Sequence, residues 1–186
     1  MTFSFYLDMD GVLADFDAGV TALGFTRTYN ARSATLTDAQ KHEKKAMYTE
    51  IGSTPRFFAN LPKMSRADEL WTLCAPYGIS VLTGIPKFPH MPELHSMKAR
   101  QEKLQFVVDK FLIPSRFAFF GCRSAEKPTY KGIVNPHFLQ VLIDDRRDNC
   151  EEWEAAGGIA IHYPEPDFGI LAVNALINQY TDQKAA

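Results

Sequence analysis

The 186-residue sequence predicts an α/β fold built on a parallel sheet, and three observations carry that expectation. Short apolar runs of strand length end repeatedly in an acid, a threonine or a glycine. Segments of helical periodicity separate those runs, and strands alternating with helices fit a parallel sheet covered on both faces. The composition, 46% hydrophobic and 23% charged, is that of a folded protein and excludes wholesale disorder, a collagen-like repeat or a coiled coil. The length suits one domain, or one domain carrying a modest insertion.

Taken in order, Phe3 to Leu7 is an apolar, aromatic strand running into Asp8-Met9-Asp10-Gly11. Ile79 to Leu82 ends at Thr83-Gly84, Arg116 to Phe120 at Gly121, and Leu139 to Ile143 at Asp144-Asp145; Ile159 to His162 is a fifth candidate. The helices are expected over Arg66 to Tyr77 with Ser65 as N-cap, Glu93 to Phe111, Asn149 to Ala156 before the stop Gly157-Gly158, and Phe168 to Tyr180. In the second of these, Leu94, Met97, Leu104, Val107, Val108 and Phe111 read as the buried face. Residues 16 to 62 break the alternation, with helix-like Asp15 to Leu23 and Asp38 to Tyr48 and no convincing strand. A connection of that length is far beyond the usual and reads as a helical cap inserted over the mouth of the sheet. The division is then 1–15 with 63–186 as core and 16–62 as cap. The tail Gln183 to Ala186 reads as frayed.

The net charge of −2 gives no basic field for a nucleic-acid duplex. Cys74, Cys122 and Cys150 have no metal-site spacing and read as reduced thiols of a cytoplasmic protein. The N-terminus lacks a basic region, and no apolar run reaches the ~20 residues of a membrane span. The five histidines show no ligand spacing.

Ligands of open α/β sheets bind beyond the carboxyl ends of the strands. Asp8 and Asp10, Thr83, and Asp144 and Asp145 all fall at such ends. Four carboxylates on one rim repel unless a cation sits among them, and oxygen ligands suit a hard ion, with Mg2+ the default. Gly11 lets the chain turn sharply and approach a phosphate.

Asp8-Met9-Asp10-Gly11-Val12-Leu13 resembles the first motif of the haloacid-dehalogenase-like phosphohydrolases, Thr83 their second and Leu142-Ile143-Asp144-Asp145-Arg146 their fourth. DMDGVLADF, PRFFANLPKM (55–64), VLTG (81–84) and LIDDRRDN (142–149), with Trp153 and Gly157-Gly158, are similar to the 5'(3')-deoxyribonucleotidase family. The second motif departs from it, since Gly84-Ile85-Pro86-Lys87 follows Thr83 where a serine and proline are commoner.

The resemblance implies a Rossmann-like, HAD-like core, Mg2+-dependent hydrolysis of a small phosphomonoester, and deoxyribonucleoside monophosphates as the leading substrates. Asp8 is then nucleophile and metal ligand, and Asp10 is acid/base as well as a backbone-carbonyl ligand. Thr83 is the phosphoryl contact, with Gly11 and Gly84 beside it, and Asp144 and Asp145 complete the metal shell. Asp145 is favoured as direct ligand with Asp144 behind it, though the spacing alone fits either. A lysine is still needed, and Lys127 is preferred over Lys131. Phe16 is expected where cap meets core, facing a base, with Phe57 or Phe58 near it. Trp153 and Tyr163 read as core, and Lys87, Lys98, Arg100 and Lys103 as a charged helix surface that could rim the site. A sugar phosphatase and a non-catalytic nucleotide- or partner-binding scaffold are the alternatives. A homodimer is compatible with the sequence.

Overall fold

The computed structural model describes residues 3–27, 36–87 and 91–182; the expected fraying of Gln183 to Ala186 lies outside them. Five parallel strands, β1 (Phe3–Leu7), β2 (Ile79–Gly84), β3 (Phe117–Cys122), β4 (Leu139–Asp144) and β5 (Ile159–His162), form one sheet in the order β3-β2-β1-β4-β5. The fold is α/β and Rossmann-like, as the alternating pattern predicts. Every residue of β1 is buried, which is why it reads as a continuous apolar run rather than an alternating one. Leu7 is level with Val81 on one side and Ile143 on the other, so the chain leaves the central strand between β2 and β4, which run on to Gly84 and Asp144. That is the topological switch point, where such sheets open a crevice.

Six α-helices lie among the described residues: α1 (Phe16–Ala22), α2 (Asp38–Ser53), α3 (Ala67–Cys74), α4 (Glu93–Lys110), α5 (Arg147–Ala155) and α6 (Pro166–Asp182). Three strands run further than their apolar runs. Thr83 and Gly84 pair with Gly121 and Cys122, and Asp144 pairs with His162. Thr83, Gly84 and Asp144 are therefore held by the sheet ladder rather than by loops. Helix α3 is shorter than expected. Arg66, not Ser65, is its N-cap, in the left-handed region at φ 59°. Its far end passes into a 3-10 turn, Ala75–Tyr77, because Pro76 has no N–H for the helical ladder.

Helix α4 keeps Val107 and Phe111 of the expected face buried but turns much of the rest of it outward. Leu94, Met97 and Val108 are exposed, and the buried residues are Ser96, Ala99, Lys103, Phe106 and Val107. The reason is polar: the roll carries Lys103 inward to acceptors on β2 and the β1 loop.

Among the described residues, 16–62 contains α1 and α2 and no strand. The Asp15 side chain caps α1 by accepting from Ala18 N at 2.8 Å, and Thr37 with Gln40 forms a capping box on α2. The segment leaves and returns through one neck, where Asp15 N donates to Pro62 O and Met64 N to Leu13 O. Its Phe16, Val20, Met47, Ile51, Phe57 and Phe58 share one apolar core with β1 and β2.

Candidate active site

The loop after β1 is built on backbone hydrogen bonds. Asp8 N donates to Ile143 O at 2.9 Å, which extends the β1–β4 ladder by one residue. The Met9 carbonyl then accepts from Val12, Leu13 and Ala14, folding the chain back on itself. Gly11 makes the reversal at φ +83°, where a side chain is strained. A Cβ there would also lie 2.6 Å from Asp145 Oδ2, so the Asp145 carboxylate sits directly against the Gly11 backbone. Carboxylate oxygens of Asp8, Asp144 and Asp145 lie within 4.8 Å of one another, close enough to share one cation. An all-oxygen donor set of this size fits a hard divalent ion.

Lys127 is at the centre of the acidic group. A 3-10 turn, Ser124–Tyr130, delivers it fully buried, with Nζ 2.5 Å from Asp144 Oδ2 and 3.1 Å from Asp8 Oδ2. Burial alone would lower its pKa; Asp144 first and Asp8 second outweigh that and raise it, so the ammonium is held charged. Lys131 is elsewhere, half-buried with its Nζ beside Gly157 at the turn before β5. Asp144 is engaged at both oxygens: Asn149 Nδ2 donates to each at 3.0 Å, Arg146 N to Oδ1 and Lys127 to Oδ2. Asp144 thus anchors Lys127, while Asp145 reaches over the Gly11 turn.

A second buried lysine, expected on the charged surface of α4 that could rim the site, faces Asp10. Lys103 Nζ donates to Asp10 Oδ2 at 2.5 Å, Thr83 Oγ1 at 3.0 Å and Gly84 O at 3.0 Å. Its one legible cue is position: it continues the Ser96–Ala99–Phe106 stripe rather than the charged face of Lys98 and Arg100. Asp10 is about a quarter exposed, but its Oδ1 is buried with no hydrogen-bond partner among the described residues. Burial raises its pKa; Lys103 offsets part of that and the Asp8 charge adds to it.

Phe16 does not present an open ring. It is 3% exposed, stacked on Phe58 at 6.3 Å, edge-on to Phe57 and covered by the Arg27 guanidinium at 5.4 Å. The expected face for a base is occupied by the protein's own side chains in this conformation. Trp153 and Tyr163 are fully buried, as expected of core. The three cysteines are free and buried, with Cys122 and Cys150 pushed up to about 12 chiefly by burial, which removes them as nucleophiles at neutral pH.

Fold and site together define a Rossmann-like α/β protein with an acidic cluster and two buried lysines at the carboxyl rim of its sheet. Neither a protein-family model nor a curated protein matches the sequence. Solved structures similar to the chain include L-2-haloacid dehalogenase from Xanthobacter autotrophicus with chloropropionic acid covalently bound, at 11% identity and TM-score 0.47 over 86% of this chain and 76% of that one. Another is a HAD family enzyme from Bacteroides thetaiotaomicron, an aspartate-to-alanine mutant in complex with magnesium and inorganic phosphate, at 14% identity and TM-score 0.45 over 86% and 93%. No helix among the described residues is long and apolar enough to cross a membrane.

Proposed function

We propose that this protein is a Mg2+-dependent phosphomonoesterase that works through an aspartyl-phosphate on Asp8. The observation that supports it most is the convergence on Asp8: a buried lysine 3.1 Å from its carboxylate and two further acids within 4.8 Å. Asp8, Asp145 and the Asp10 carbonyl would hold the metal, with Asp144 behind them. Bound there, Mg2+ supplies neutralisation of phosphoryl oxygens. An Asp8 oxygen attacks phosphorus as the ester P–O bond breaks, and Asp10 gives its proton to the departing alkoxide. Asp10, now a carboxylate, takes a proton from water as that water's oxygen attacks phosphorus. Phosphate leaves and Asp8 is free again. The Thr83 hydroxyl accepts from Lys103, so its own proton remains to donate to a phosphoryl oxygen. Lys127 offsets the charge gathered between Asp8 and the phosphoryl group. Gly11 and Gly84 line the approach.

Deoxyribonucleoside monophosphates are the proposed substrates, supported by the motif resemblance and by the aromatic group Phe16, Tyr48, Phe57 and Phe58 in segment 16–62, which acts as a cap. The covered Phe16 ring favours a second reading, in which the leaving group is a smaller polar alcohol such as a sugar. Hydrolysis of p-nitrophenyl phosphate with Mg2+ tests the enzyme against a non-catalytic scaffold. Wild type is expected to turn over, EDTA to stop it, Mg2+ to restore it, and Asp8→Asn to lose several orders of magnitude. Activity of Asp8→Asn within about tenfold of wild type removes the covalent mechanism. A panel of nucleoside and sugar monophosphates then separates the two substrate classes.

A further inference from the structure

We propose that Lys103 is a positioning residue for proton transfer: it holds Asp10 by Oδ2 so that Oδ1 faces the reacting ester. The inference rests on the acid/base role given to Asp10 above. A lysine ammonium has three protons, and here all three have acceptors: Asp10 Oδ2, Thr83 Oγ1 and Gly84 O. A group so committed has no proton left for substrate and acts through the residues it holds. Phe58 covers it, with its ring centroid 4.8 Å from Nζ, which seals the ammonium from solvent on the cap side.

Asp10 Oδ1 is buried and without a partner among the described residues, and buried polar atoms are rarely left in that state. A leaving-group oxygen, and later the attacking water, would satisfy it. Burying a lysine is costly when an apolar side chain would fill the same position on α4. The arrangement therefore serves orientation: rotation about the Asp10 carboxyl is stopped from the side away from the ester.

The test compares phenyl phosphate, whose basic leaving group needs a proton, with p-nitrophenyl phosphate, which departs without one. The two have nearly the same size, and kcat/KM reports steps through the first phosphoryl transfer. Lys103→Met keeps length and apolar volume. It is expected to lose about 10²-fold on phenyl phosphate, the scale of general acid catalysis, and less than about fivefold on p-nitrophenyl phosphate. The ratio between the two esters does not depend on how much protein is folded, and Lys103→Gln, shorter and uncharged with two N–H donors, is expected to shift it in the same direction. In an Asp10→Asn background, adding Lys103→Met should change either rate by less than about threefold, because residues acting as a unit are not additive. Equal losses on both esters, or losses that multiply in the double variant, overturn the proposal. Asp8→Asn, measured alongside, reports on the mechanism itself: its activity would sink that reading whatever Lys103 does.

Discussion

Two lysines, Lys127 and Lys131, compete in the sequence for the place beside Asp8, and of the two the structure brings Lys127 there. Lys127 lies 17 positions before Asp144 and is reached through a tight 3-10 turn; Lys131 lies nearer in sequence yet points to Gly157. The choice between them was open from spacing alone, because a loop of unknown length separates either one from β4. Burial settles their geometry: an ammonium with no exposed surface needs acceptors, and Asp144 and Asp8 are those within reach of Lys127. Lys127→Ala is therefore expected to lower kcat by about 10²-fold or more, as when one pre-organised donor is removed. Lys131→Ala should stay within about fivefold of wild type. Steady-state rates on p-nitrophenyl phosphate check both, and the reverse ranking would move the charge-offsetting role to Lys131.

At the scale of elements, the site depends on how turns and strand ends are built. β1 was legible because a central parallel strand is apolar on both faces, and its acids were legible because they interrupt that run abruptly. Thr83 and Asp144 were found for the same reason, although the ladder holds them inside β2 and β4 rather than beyond. Lys103 was legible only by position: charges on α4 recur at Lys98, Arg100 and Lys103, and Lys103 alone of the three continues the Ser96–Ala99–Phe106 stripe that tertiary packing turns inward. The aromatic group of 16–62 was visible as residues but not as a stack closed over by Arg27, because that contact links the first residue of α1 to a position beyond its end. The Gly11 turn offers a direct test of element geometry. Gly11→Ala places a Cβ at φ +83° and 2.6 Å from Asp145 Oδ2. The backbone cost alone is about 1–2 kcal/mol, and thermal unfolding should shift down accordingly. Asp145 must also move, so the Mg2+ concentration giving half-maximal rate should rise. A lower melting temperature with unchanged Mg2+ dependence would mean that Asp145 is not a ligand.

Across the whole molecule, the rim is a charge network laid over an apolar core, and its cost is borne by the fold. Lys127, Asp144 and Asp8 join the 3-10 turn, β4 and the β1 loop, while Lys103 joins α4 to β2 and the same loop. The Lys127 cluster makes a stability prediction whose sign follows from linkage. The folded state holds the Lys127 proton more tightly than the unfolded chain, whose lysine titrates near 10.5, because Asp144 and Asp8 outweigh the burial that alone would release it. Below that pH both states bind the proton and the contribution is constant. Above it the unfolded chain loses the proton first, so folded stability declines as pH rises, by up to about 1.4 kcal/mol per pH unit for one group. Tyrosines and surface lysines titrate in the same range, so the measurement is a difference between wild type and Lys127→Met. Denaturant unfolding from neutral pH to about pH 11.5 is expected to show a gap between the two that is flat at first and then narrows, since the variant has no proton to lose at that position. A gap that stays constant to the alkaline end would mean that the Asp144 and Asp8 carboxylates do not hold the charge on Lys127, and the cluster would lose its standing as an electrostatic unit.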